Sequence, residues 1–108
     1  MQRASVIEDK IFQALADPSR RAIFESLTRG EAAVKDLTAR FDISQPAISQ
    51  HLASLKAAGL VNHRREGRYV YYRVRPRGMK PLIDWIAHYR AFWTEHLDRL
   101  EELLEKTD

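Results

Sequence analysis

The chain of 108 residues contains no cysteine. Disulfides, thiolate metal sites and thiol redox sensing are therefore excluded. Long hydrophobic runs are also missing: no segment approaches the roughly eighteen consecutive apolar residues of a membrane span. The N-terminus lacks a signal-peptide pattern, so the expected location is cytoplasmic and no membrane partner is expected. Glycine is scarce, with four residues, and none of them builds a phosphate-binding loop. No histidine–glutamate cluster has metal-ligand spacing. Ser49 and His51 stand two positions apart, and helical neighbours at that distance point to different sides. No enzyme and no cofactor are expected.

Charge is plentiful and unevenly placed. Residues 1–78 hold fourteen Lys/Arg against eight Asp/Glu, a balance of +6, while residues 79–108 hold four against seven, a balance of −3. The stretch 60–78 carries arginine at 64, 65, 68, 73, 75 and 77 against Glu66 alone. A basic body with an acidic C-terminal segment points to an anionic partner on one surface and a different partner on the other. The length suits one domain over 1–108, with a single core.

Hydrophobic spacing predicts a mostly α chain with a small β-hairpin wing. A first helix over about 6–16 places Ile7, Ile11 and Leu15 at helical spacing, with Phe12 beside them. Asp17-Pro18 is a cap followed by proline at the first helical position, opening a second helix through about residue 28. A third helix over about 32–40 turns Val34, Leu37 and Phe41 inward. The short link Phe41-Asp42-Ile43 is what a helix-turn-helix requires, and that unit spans about 32–58. After it the period drops from near four to two, giving strands over 60–65 and 69–74 around Glu66-Gly67, a wing over about 60–75. One long helix then runs over about 81–105.

The helix that follows Ser44 is the most informative stretch. Ser44 supplies an N-cap oxygen, Pro46 sits where no helical N–H is needed, and Gly59 allows the left-handed turn that stops the helix. Ile48, Leu52 and Leu55 form a core stripe. The opposite side carries Gln45, Ser49, Gln50, Ala53 and Lys56, polar yet almost uncharged, which suits base edges in the major groove of double-stranded DNA. Gln45 and Gln50 can pair with adenine, and Ser49 with a base or a phosphate. His51 either packs within the helix-turn-helix or reaches the duplex. Arg68 at the hairpin tip, with Arg64 or Arg65 on the incoming strand, suits phosphates or the adjacent minor groove, and Tyr69 can add a hydroxyl.

The last helix reads as a dimer surface. Leu82, Ile86, Tyr89, Trp93, His96, Leu100 and Leu103 alternate at spacings of four and three, the seam pattern of packed helices. Trp85, Phe92, Leu97 and Leu104 widen that stripe, and Ile7 and Ile11 of the first helix are natural co-contributors. The expected state is a homodimer.

The segments Asp17-Pro18-Ser19-Arg20-Arg21, 44–61 and Arg64-Arg65-Glu66-Gly67-Arg68-Tyr69-Val70-Tyr71-Tyr72 together resemble the ArsR-type winged-helix transcriptional repressors, over roughly residues 5–104. The resemblance implies a winged helix-turn-helix with an extended C-terminal dimerisation helix, a homodimeric repressor on an inverted-repeat operator, often released by an inducer. The family's metal box, Cys-Val-Cys-Asp-Leu, aligns with Ala33-Val34-Lys35-Asp36-Leu37, where neither thiolate position is kept. At the family's second site Ile86 replaces a histidine and Arg99 a glutamate. No metal is expected, although an intersubunit set of Asp84, His88 and Glu95 stays open; the inducer is not legible. The competing reading is a winged-helix protein-interaction module, which would be free to place acids or large apolar groups where this chain has amides, hydroxyls and arginines.

Overall fold

Asp17 and Pro18 open the second helix in the computed structural model, which describes residues 2–106, the side chains of 2–8, Ala91 and Trp93 excepted. The Asp17 carboxylate accepts the Arg20 backbone N–H at 2.9 Å, satisfying a donor the first turn leaves free. That hydrogen bond is the main reason its carboxyl titrates below the usual value, helped by the charges of His51 and Arg20. The elements run α1 (Gln2–Ala16), α2 (Pro18–Leu27), β1 (Ala32–Ala33), α3 (Val34–Phe41), α4 (Gln45–Ala57), β2 (Val61–Glu66), β3 (Tyr69–Val74), a 3-10 turn (Pro76–Met79), α5 (Lys80–His88) and α6 (Arg90–Lys106). The mostly α fold with a small β wing is thus the one expected from the sequence.

Local chemistry sets the ends of α4. Ser44 Oγ accepts the Ala47 N–H at 3.2 Å. At the other end Gly59 adopts φ +80°, and the Gly59 and Leu60 N–H groups donate to the Lys56 and Leu55 carbonyls at 2.9 and 3.0 Å. These paired bonds close the helix and send the chain directly into β2. Between α3 and α4, Asp42 takes a left-handed φ of 53°, a conformation aspartate tolerates better than most side chains.

Two features depart from the periodicity. First, Ala32 and Ala33 are a strand, not the start of the third helix: they pair with Tyr72 and Tyr71, giving an antiparallel sheet in the order β1-β3-β2. A two-residue strand is too short to leave an alternation signal. Second, the single long helix expected over 81–105 is two helices. Tyr89 leaves the helical region at φ −100°, ψ 7°, and its N–H is shared between the Trp85 and Ile86 carbonyls at 3.4 and 3.2 Å. No proline or glycine marks the break, so pattern reading passes over it.

The core is built where α1, α2, α3, α4 and β2 meet: Ile11, Ile23, Leu37, Ile48, Leu52, Leu55 and Leu60 have no exposed surface. Ile11, expected at the dimer contact, belongs to this core instead, because its helix face lies on α2 and α4. The 3-10 turn closes against the end of α4 so tightly that a Cβ on Gly78 would stand 1.9 Å from the Gly59 carbonyl oxygen. Gly78→Ala should therefore force the backbones apart and cost on the order of 1–3 kcal/mol, the usual penalty for overpacking. Chemical denaturation checks it, and an unchanged midpoint would show that the two segments separate freely.

Candidate nucleic-acid interface

Burial of Ile48, Leu52 and Leu55 turns the other side of α4 outward, so Gln45, Ser49, Gln50 and Lys56 are exposed. Ser44 and Pro46 stand at the exposed N-terminal end, with the Ser44 oxygen already engaged as the cap. Beside this end the tip of the wing comes across. Lys35, Gln45, Ser49, Arg68 and Tyr69 line a cleft of about 240 Å³, completed by Ala33, Val34, Val70 and Tyr72. Two cations, an amide, a hydroxyl and two phenols thus converge on one open hollow with no carboxylate in its wall. Such a lining suits anionic oxygens and base edges.

Lys35 is the member of this group that sequence reading missed. Its Nζ lies 4.6 Å from the centre of the Tyr69 ring, a cation–π contact that holds it over the cleft. The available signal was its position: a lysine in the first turn of a helix opposes the helix dipole and so calls for another explanation. Tyr69 itself is 42% exposed and meets Tyr71 edge to face.

Arg64 and Arg68, placed together by the sequence, are separated in role by the structure. The Arg64 guanidinium grips Glu31 with two bonds of 2.7 and 2.9 Å, reaches Glu66 at 3.2 Å and lies 4.6 Å from the Tyr71 ring centre. The hydrogen bonds that Arg64 donates to Glu31 and then to Glu66 raise its pKa further, and the same contact lowers that of Glu31. Arg64 therefore ties the wing to the residue preceding β1. Arg65, on the same strand, is exposed.

His51 is half-buried on the side facing the start of α2, where its charge acts on Asp17 and its Nδ1 is buried without a hydrogen-bond partner. It does not line the cleft. Of the residues expected at a dimer contact, Ile86 (51% exposed), Tyr89 (38%) and Leu100 (50%) present open apolar surface, and His96 is exposed with its ring against Phe92. The side chains of Ile7 and Trp93 lie outside the described residues. Asp84 pairs with Lys80 at 2.8 Å and Glu95 with Arg99 at 2.7 Å, and among the described residues of one chain no three His, Asp or Glu groups converge as a metal site would need.

Comparison with known proteins locates this architecture. The family model of the bacterial regulatory proteins of the arsR family matches residues 17–63. The transcriptional repressor SdpR of Bacillus subtilis is 33% identical over 81 residues, covering 75% of this chain and 90% of the relative. The HTH-type transcriptional regulator Rv2034 of Mycobacterium tuberculosis is 40% identical over 97 residues, covering 90% and 88%. A crystal structure of an ArsR family transcriptional regulator superposes with a TM-score of 0.74 at 31% identity, covering 83% of this chain and 93% of the other.

The wing anchor has a pH signature. Because the native Glu31 carboxyl titrates below its ordinary 4.5, its contact with Arg64 contributes stability above that pH and loses it as pH falls through the native value. Wild type should therefore melt above Glu31→Gln at neutral pH, by a small and salt-sensitive margin since both partners are partly solvated. The margin should close in acid. A margin that persists unchanged well below about pH 4 would place the effect of Glu31 outside this ion pair.

Proposed function

The chain belongs to the ArsR family of bacterial regulatory proteins and is a DNA-binding transcriptional regulator; from that premise we propose that it acts in the cytoplasm as a homodimeric repressor on an inverted-repeat operator. One observation carries the reading. The exposed N-terminal half of α4 offers Gln45, Ser49 and Gln50 beside the cleft flanked by Lys35 and Arg68. The amides address base edges in the major groove, while Arg68, Lys35, Arg65 and Tyr69 hold the backbone on either side. Arg64 acts at one remove, fixing where the wing lies. No helix of the described residues is long and apolar enough to cross a membrane.

The second copy of the chain is the natural cover for α5 and α6. Ile83, Ile86, Tyr89, Leu97, Leu100 and Leu104 are between 38% and 61% exposed. Burying an aliphatic side chain of this size contributes roughly 1.5–3 kcal/mol, so leaving the whole face in water would be costly. A two-fold pairing brings two reading helices to half-sites about one helical turn apart, or a multiple of it.

Three substitutions test the reading together. Gln50→Ala should relax base preference at one position in each half-site, by about 1–3 kcal/mol for the bidentate pair it removes. Arg68→Ala should weaken all duplexes alike and lower the salt slope by about one unit for each phosphate left without its cation. Arg64→Ala should leave that slope nearly unchanged while lowering thermal stability. Equal affinity of the wild type for every duplex would end the proposal. A slope change for Arg64→Ala as large as for Arg68→Ala would move Arg64 back to the DNA.

Pairing is tested separately. Ile86→Glu combined with Leu100→Glu should yield a monomer by sedimentation, with its helical circular dichroism retained and cooperative operator binding abolished. A variant that stays dimeric and binds normally would put the dimer contact elsewhere.

A further inference from the structure

We propose that the groove between α1, the C-terminal end of α4 and the 3-10 turn binds a small polyanion, a molecule carrying two or more phosphate or carboxylate groups. Its role as an effector rests on the regulatory reading above, whereas binding itself does not. The groove is a cleft of about 290 Å³ whose wall brings together Lys10 of α1, Arg75 after β3 and Arg77 of the 3-10 turn, over a floor that includes Ala57, Ala58 and Gly59. A second cleft of about 250 Å³ continues from it, sharing Lys10, Ala57 and Ala58 and adding Arg20. Four cations from separate segments thus line two adjoining hollows, and no carboxylate lines either one.

Two features raise this above a scatter of surface charge. Among the described residues no carboxylate pairs with Lys10, Arg75 or Arg77, so an arriving anion has no ion pair to displace there. The cations are also engaged only in part by the end of α4. The Ser54, Leu55 and Lys56 carbonyls are already taken by the N–H groups of Ala58, Leu60 and Gly59, and the Arg75 guanidinium donates one long hydrogen bond, of 3.4 Å, to the Gly59 carbonyl. The groove is set by rigid backbone, since the approach of Gly78 to Gly59 leaves no room for a single methyl group. Convergent like charges held by fixed backbone repel one another, and an anion bridging them removes that repulsion while gaining charge-assisted hydrogen bonds. The small volume fits a compact ligand.

The position gives binding a consequence. The groove lies at the opposite end of α4 from Gln45, about 20 Å away along thirteen residues. It touches α1 and Pro81 of α5 as well. A ligand there ties the reading helix to the helices proposed to pair, so it can shift their relative placement, and by linkage DNA must shift its affinity in return.

The test uses the full chain without DNA, titrated by calorimetry with inorganic pyrophosphate in one arm and citrate in the other at constant ionic strength. The arm that saturates identifies phosphate or carboxylate as the preferred class. The expected result is one saturable site per chain, amide shifts in NMR spectra centred on Gly59 and residues 75–78, and at least tenfold weaker binding in Arg75→Gln/Arg77→Gln. The charge-matched control Arg90→Gln/Lys106→Gln should bind like wild type, and Lys10→Gln alone should weaken binding through a separate element. Equal weakening in the control, or a response that never saturates, overturns the site. A drop in operator affinity and salt slope in Arg75→Gln/Arg77→Gln, with no anion binding by the wild type, assigns the cations to the DNA backbone and also overturns it. Saturable binding that leaves operator affinity unchanged overturns the effector role. Failure of every form to bind DNA would instead strike the regulatory reading, leaving the calorimetric result intact.

Discussion

Three side chains of α4, Ile48, Leu52 and Leu55, have no exposed surface, and this burial decides what the chain can present to a partner. Turning α4 by one residue, about 100° around its axis, would bring these three to water and press Gln45 and Ser49 into an apolar core. Each aliphatic side chain exposed would cost roughly 1.5–3 kcal/mol, and each buried amide without a partner a similar amount again. The orientation of α4 is therefore stiff. The amides and hydroxyl on its outer face inherit that stiffness, which a reading surface needs, because specificity requires donors and acceptors held in place before contact.

The wing depends on the same helix-turn-helix through a smaller device. A two-stranded hairpin is marginal by itself in water, and here it is extended by Ala32 and Ala33, the residues immediately before α3. Glu31, next to that strand, grips Arg64 across the sheet, and the Arg64 guanidinium packs on Tyr71. The hairpin is thereby fastened to the start of α3 at several points. Arg68 at its tip and Lys35 on α3 face one cleft because strand and helix adjoin in the chain.

Much of this was legible in the sequence, and the reasons differ by element. The caps at Asp17 and Ser44, the stripe on α4 and the glycine stop at Gly59 are local, set by residues within about four positions, and all appear where the pattern placed them, while the hairpin turn falls one residue later than expected, at Gly67-Arg68, because Glu66 still pairs with Tyr69. The pairing of Glu31 with Arg64 spans thirty-three positions, and nothing in either residue announces the other. Strand β1 is too short for periodicity, and the break at Tyr89 has no proline or glycine to signal it. Ile11 shows a subtler limit. A hydrophobic stripe says that a face is buried without saying against what, and here α1 serves the core through Ile11 while Phe12 meets Trp85 of α5, ring centres 5.4 Å apart.

That divided duty makes α1 the structural link between α4 and α5. Through Ile11 it shares a core with Ile48, Leu52 and Leu55 of α4. Through Phe12 it carries α5, and beyond Tyr89 α6 continues with its apolar side chains exposed. The charge balance imposes a direction on the same axis. Residues 1–78 are basic and 79–108 acidic, so a duplex drawn to the cleft repels the C-terminal helices unless they lie beyond the roughly 8–10 Å over which salt screens charge. Through Ile11 and Phe12, α1 is packed against both α4 and α5, so the two are joined by close-packed side chains and not by a loop.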